Sequence, residues 1–267
     1  MTRGWLFRLL VALVIFDLVF LALPTLVVLV ASFTPGTVIA FPPGGVSLRW
    51  YASLLDRPDF LRALWRSLLV GLVCTALAVP IGTLAALALA RFQLRGATAL
   101  QVYLLLPFTI PLVVSGIGLM LVFGQLGWLG RVWPVGVAAC VINLPFMIWA
   151  VAAAVNHLDP DLEHAAQSLG APPTHAFLTV TLPAVMPGIV TGALVMFILA
   201  VNEFLVSLML VDARSVTLPV LVYNAIRSII TPDLAAVSAI YVGLALLVIL
   251  LLDRLVGLDI FLRSRKS

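Results

Sequence analysis

A single all-helical membrane domain of six spans, covering residues 1–267, is the architecture to which three observations lead. Hydrophobic residues fill 63% of the chain and charged residues only 10%, whereas soluble domains carry about 25% charged residues. Mean hydropathy is +1.23. The apolar residues also fall into runs of about 20 or more, the length that crosses a hydrocarbon core of roughly 30 Å as a helix. No soluble fold could cover that much apolar surface.

The first run, about 9–32, follows Arg3 and Arg8. It is much longer than the apolar region of a signal peptide, and no clean A-x-A site follows, so an uncleaved helix is expected. Asp17 lies midway along it. A carboxylate there costs on the order of 3 kcal/mol and has to face protein, water or a basic partner unless it is protonated. The second run spans 61–90. The third, 99–123, lies in the uncharged stretch 96–130, is bent by Pro107 and Pro111 and ends near Gly127 and Trp128. The fourth, 132–156, carries Asn143 and Pro145 in its middle; the fifth spans 184–211; the sixth, 234–252, is closed by Asp253 and Arg254. Prolines are tolerated in such helices and read as kinks. Between the first two runs, residues 47–55 form a short helix with Trp50, Tyr51, Leu54 and Leu55 near one face. An interfacial aromatic belt accounts for it, and so does a docking surface.

Charge and cysteine usage exclude several classes. The net charge is +4 and the pI near 9.6, but the basic residues stand at the ends of runs, as flanks of membrane helices do, so no nucleic-acid surface is expected. Cys74 and Cys140 lie inside runs without a disulfide framework or metal spacing and read as small buried hydrophobes. The three histidines, His157, His164 and His175, lie in or beside one connection. They supply no convergent set of metal ligands, nucleophile or base, so neither a metal site nor a catalytic residue is expected. With a cytoplasmic N-terminus, Arg3, Arg8, Arg91, Arg95, Arg254, Arg263, Arg265 and Lys266 fall inside, against Arg49, Arg57, Arg62, Arg66, Arg131, Arg214 and Arg227 outside. The tally is nearly even. The closeness of Arg3 and Arg8 to the first run, with the basic C-terminal end, favours both termini in the cytoplasm.

The connection 157–183, HLDPDLEHAAQSLGAPPTHAFLTVTLP, is then cytoplasmic and too regular for an ordinary loop. Asp159 is placed to cap a helix whose first position is Pro160, Asp161 and Glu163 put negative charge in its first turn, and Gly170 can close it in the left-handed conformation. Leu162, Ala165, Ala166 and Leu169 form one apolar stripe on a helix too short to be stable alone in water. Either the chain's own helix ends cover that stripe or a partner does. Pro183 and Pro187 with Gly188 are expected to turn the chain into the fifth run.

The stretch LEHAAQSLGA, followed by FLTVTLP and MPGI, resembles the EAA loop of ABC importer permeases. FPPGGVSLRWYASLL, GTLAALALARF, LLLPFTIPLVVSGIGLMLVFGQLG and TLPVLVYNAIR, in order and at family spacing, resemble the spermidine/putrescine-type branch. The resemblance implies the six-span type I importer permease fold, with a coupling helix between the fourth and fifth spans that docks in a cleft of a cytoplasmic ATPase. Glu163, Ala165, Ala166 and Gly170 match the loop. His164 stands where the family usually has a second Glu, so no role that needs a carboxylate carries over to that position. The resemblance further implies two ATPase subunits, a second permease related or identical to this one, an extracytoplasmic solute-binding protein, and residence in a bacterial inner membrane. No G-x-x-x-x-G-K-[ST] pattern occurs, so ATP and Mg belong to the partner ATPase subunits and no cofactor is expected on this chain.

Glu203, in VNEFLVSL, is the residue expected to meet the substrate or its pathway. Counted from Gly188 at 1.5 Å per residue it lies roughly 22 Å along the fifth run, about two thirds of the way across the core. Intramembrane carboxylates are costly enough to read as functional, and the adjacent Asn202 offers donors and acceptors. The resemblance agrees, because spermidine/putrescine-type permeases often carry acidic residues in such segments. An interhelical hydrogen bond or salt bridge, for example to the partner permease, is the alternative. A polyamine or related organic cation fits best as the solute, with amino-acid derivatives, phosphonates and iron chelates as other solutes of such permeases. A secondary transporter would need inverted repeats with broken helices, and no internal symmetry is visible.

Overall fold

The computed structural model describes residues 3–38, 41–91, 96–159, 161–228 and 231–252. Among them there are helices and connections and no strand. The helices are α1 (Arg3–Ala31), α2 (Arg49–Leu55), α3 (Pro58–Arg91), α4 (Ala97–Thr109), α5 (Leu112–Gln125), α6 (Trp133–Asn156), α7 (Asp161–Ser168), α8 (Pro173–Ala176), α9 (Leu182–Val201), α10 (Leu205–Leu210), α11 (Leu218–Ser228) and α12 (Pro232–Leu252). One π-helical turn, Phe177–Thr181, joins α8 to α9. Among the described residues four stretches are long and apolar enough to cross a bilayer: Phe7–Ala31, Pro58–Arg91, Trp133–Asn156 and Pro173–Val201. Leu112–Gln125 and Pro232–Leu247 are shorter apolar helices. Pro160, Arg95 and the basic residues Arg254, Arg263, Arg265 and Lys266 lie outside the described residues.

The described residues form two compact units, one drawn from the ranges 1–61 and 222–245, the other from 62–221 and 246–252. In the first, α1 is exposed from Phe7 to Leu26, Asp17 included, and half-buried to buried only near its C-terminal end. Its C-terminal end is held by α2. Trp50 Nε1 donates to the Thr34 carbonyl at 2.9 Å, the Tyr51 hydroxyl meets Ser32 Oγ at 2.6 Å, and Arg49 reaches the Pro35 carbonyl at 3.0 Å. The half-buried Trp50 and Tyr51 thus spend their polar atoms inside this chain. Arg57 pairs with Asp59 at 3.0 Å and with Asp233 at 2.8 Å, which fastens the start of α12 beside the start of α3.

The second unit has its core where α3, α6 and α9 meet, with Val70, Cys74, Ala78, Val135, Ala138, Met147, Val151, Val185 and Met196 buried together. Cys74 and Cys140 are free thiols there. Lipid tails are as apolar as leucine, so close backbone approach at small residues has to bind the helices. A Cβ on Gly136 of α6 would lie 2.8 Å from the Val70 carbonyl oxygen, and one on Gly188 of α9 would lie 2.7 Å from the Ala150 carbonyl oxygen. These two glycines let α6 seat against both neighbours.

Three expectations need correction. The third run is not one bent helix over 99–123 but two helices, because Pro111 has no N–H to give and forces Ile110 out of the helical region; Ile110 is extended, with ψ 134°. The fifth run, 184–211, is likewise broken, after Val201: the Glu203 N–H reaches back only three residues, to the Ala200 carbonyl, the Glu203 carboxylate accepts the Val206 N–H, and the Ser207 hydroxyl donates to the Glu203 carbonyl. Pro183 and Pro187 do not turn the chain into that run. The turn comes earlier, at Ala171 and Pro172, and both prolines lie in α9.

Candidate functional site

Helix α7 is built at both ends as its sequence dictates. The Asp161 N–H donates to Asp159 Oδ1 at 3.0 Å. At the other end Gly170 has φ +93°, its N–H donates to the Gln167 carbonyl at 2.9 Å, and the Ala171 N–H donates to the Ala166 carbonyl at 3.1 Å. These two bonds are the Schellman pair, which needs a residue tolerant of positive φ at position 170. No residue of α7 is buried. Leu162 is 52% and Leu169 91% exposed, Ala165 is exposed and Ala166 half-buried. The chain's own helix ends therefore leave Leu162, Ala165 and Leu169 uncovered and cover Ala166 only in part.

Glu163, on another side of α7, ties the helix to the rest of the unit. Arg91, the last residue of α3, donates from Nη1 to Glu163 Oε1 at 3.2 Å and from Nη2 to Glu163 Oε2. The same Nη2 donates to Thr181 Oγ1 at 2.8 Å, and the Thr181 hydroxyl donates to Glu163 Oε2 at 2.7 Å. The Thr181 hydroxyl first, then the Arg91 guanidinium, holds the Glu163 carboxyl below its ordinary value, against the opposing pull of partial burial. Thr181 is fully buried at the end of the π-helical turn. That turn forms where Pro183 cannot donate and its ring crowds the carbonyl four residues back; the Leu182 N–H bonds instead to the Phe177 carbonyl.

Arg91 and Thr181 were not among the expected site residues. Arg91 could have been found as the charge that closes a long apolar run, whereas Thr181 carries no sequence signal because only the π-helical turn aims its hydroxyl inward. His164 is exposed and lines a cleft of about 580 Å³ with Arg91, Asn156, Asp159, Glu163 and Gln167. His157 and His175 are exposed.

Glu203 stands elsewhere in the same unit, in the break between α9 and α10. Its Oε1 accepts the Val206 N–H at 3.0 Å, and its carbonyl accepts the Ser207 hydroxyl at 2.7 Å. The half-buried carboxylate lines a cleft of about 480 Å³ with Thr109, Ile110, Pro111 and Leu112 of the α4–α5 break and with Ile142, Asn143, Phe146 and Leu199. Two broken helices therefore meet at one cleft, which α6 lines with Ile142, Asn143 and Phe146. Each break brings both kinds of helix end to this region: the C-terminal ends of α4 and α9, which carry partial negative charge, and the N-terminal ends of α5 and α10, which carry partial positive charge, the last of them donating the Val206 N–H to the carboxylate. Asn202 is not part of this lining: it is exposed and bonds back to the Ile198 carbonyl at 2.9 Å.

Residues 78–258 match the binding-protein-dependent transport system inner membrane component family, and the chain belongs to that family. It is 30% identical over 234 residues, 84% of this chain and 82% of the relative, to the putrescine transport system permease protein PotI of Escherichia coli (strain K12). To the molybdenum transport system permease protein ModB of Mycobacterium tuberculosis it is 32% identical over 232 residues, 79% of this chain and 87% of that one. Its fold is that of a bacterial ABC transporter involved in the import of the acidic polysaccharide alginate, with TM-score 0.70 at 20% identity over 99% of this chain and 97% of the other. A bacterial alginate ABC transporter in complex with an alginate pentasaccharide-bound periplasmic protein gives TM-score 0.69 at 20% identity over 94% of each chain. The protein is thus a permease subunit of an ABC importer, an inner-membrane component rather than a catalytic enzyme.

Proposed function

We propose that this permease docks through α7 on one of two cytoplasmic ATPase subunits that hold ATP and Mg, pairs with a second permease, related or identical, and receives its solute from an extracytoplasmic binding protein. The carrying observation is the uncovered stripe of α7, an apolar face on a helix whose ends are capped and whose polar side is fixed by Glu163. A helix of about two turns so prepared needs a partner groove to bury Leu162 and Leu169. The arrangement this reading requires has six spans, α1, α3, α4 with α5, α6, α9 and α12, with both termini and α7 on the cytoplasmic side.

The solute class rests on Glu203. Relatives named for putrescine and for molybdenum are similarly identical to this chain, so likeness alone does not choose between them. The helix ends at the two breaks carry partial charges of both signs, so it is the Glu203 carboxylate that favours a cation over an oxyanion in the cleft, which makes a polyamine or related organic cation the better reading. Membership of the family removes the secondary transporter as a candidate. The test is uptake of labelled putrescine by the assembled importer with and without Glu203→Gln. Transport is expected to fall about tenfold or more, the factor set by losing a desolvated charge contact, while the complex still purifies intact. Normal uptake by the variant removes Glu203 from the pathway. Failure of the complex to assemble makes it a structural contact.

A further inference from the structure

Three elements converge on one point at the foot of α7: the last residue of α3, the first turn of α7, and the π-helical turn that leads into α9. Arg91 bonds to both Glu163 and Thr181, and Thr181 bonds to Glu163, so the three side chains close a ring of charge-assisted hydrogen bonds. Arg91 also lies 6.0 Å from the centre of the Phe177 ring, at the first residue of the π-helical turn. Such bonds are directional and about twice as strong as neutral ones. Most of the stripe of α7 is free of this chain, yet its Glu163 side is pinned. Helix α9 then runs from the ring to Val201, where it ends beside Glu203.

We propose that Arg91 and Thr181 are positioning residues that make α7 and α9 move as one body, so that a displacement of α7 by its partner is delivered to the cleft at Glu203. The inference rests on the reading of α7 as the ATPase-docking helix. A π-helical turn is a place where a helix holds an unpaired register, and an unanchored one would absorb a push on α7. With Thr181 tied to Glu163 and Arg91, the turn passes the push on. Thr181 lies too deep to touch a docked partner, so its effect has to act through α7.

The test uses the complete importer, with Cys74 and Cys140 replaced and spin labels at Gln167 of α7 and Thr191 of α9, two exposed positions away from the stripe. The distance between the labels is expected to stay narrow and unchanged with and without MgATP. In Thr181→Val and Arg91→Gln it is expected to broaden, and stimulation of ATP hydrolysis by the loaded binding protein to fall about tenfold, the equivalent of one lost hydrogen bond to a charged group. Thr181→Ser, which keeps the hydroxyl, and the swapped pair Arg91→Glu with Glu163→Arg are expected to restore both readings. The proposal is overturned by a label distance that shifts with MgATP in the unmodified ring, by Thr181→Val behaving as the parent in both readings, or by Thr181→Ser failing like Thr181→Val. Absence of an ATPase subunit from the purified parent complex would instead sink the docking reading. The label distances in the complex as purified would then still judge the ring.

Discussion

At Glu163 the direction of the pKa shift sets the pH at which α7 can come loose. The carboxyl titrates below its ordinary value of 4.5 in the folded chain, so its contribution to stability is complete above about pH 4.5 and is lost only as pH falls through the lowered value. Between about pH 6 and 8 the ring should therefore be insensitive to pH; a loss of α7 anchoring centred near neutrality, read from the spin-label distance, would put another group in control. Glu163→Ala should cost about 2 kcal/mol, the range for hydrogen bonds to a charged group, measured as thermal unfolding in detergent. Gly170 poses a different problem. Nothing lies within 4 Å of a Cβ built on it, but its φ is +93°, so Gly170→Val is penalised by backbone conformation alone, by about 1–3 kcal/mol. Gly170→Asn, which tolerates the left-handed region, should lose much less. Equal losses for the two would mean that φ is not what selects glycine there. Glu163 and Gly170 were legible in the sequence because each does what a local helix-end rule demands. Arg91 and Thr181 were not, since their roles need contacts across 72 and 18 positions.

Among the elements, α7 and the α6–α9 pair invite opposite tests. Ala165→Asp places a charge on an exposed site of α7, so membrane insertion and fold should be unchanged while co-purification of an ATPase subunit falls about tenfold or more, as an unpaired charge in a buried interface requires. Unchanged co-purification would show that the stripe is not the docking face. Gly188→Leu acts on the fold itself. Its Cβ would meet the Ala150 carbonyl and the Ala154 side chain, and overpacking of this kind costs about 1–3 kcal/mol, visible as reduced thermal stability. The helix breaks divide along the same line. Pro111 announces the first one locally, although a kink and a break look alike in sequence. The second one, after Val201, depends on Glu203 and Ser207 bonding to backbone groups a few residues away, a choice that apolar run length does not reveal.

For the molecule as a whole, membrane orientation is the property on which the functional reading depends. Cysteine placed at the exposed Thr174 should react only from the cytoplasmic side, and at the exposed Gly44 only from outside. The reverse pattern would put α7 on the wrong side of the membrane for an ATPase and end the coupling reading. Lipid solvation explains why hydropathy reaches this far: each span has to satisfy its backbone internally, so its length and composition are written in one contiguous stretch.

What this sequence by itself determined is what contiguous residues decide: a helical membrane chain, the capped and striped helix α7, and a costly carboxylate at Glu203. The close seating of α6 at Gly136 and Gly188, the Arg91–Glu163–Thr181 ring, the separation of Asn202 from Glu203, and the meeting of two helix breaks at one cleft were decided only by tertiary structure. The physical reason is the same in each case. Hydropathy and capping act over one or two helical turns, whereas a hydrogen-bond ring or a shared cleft exists only once packing has brought distant backbone ends to within about 3 Å of their partners.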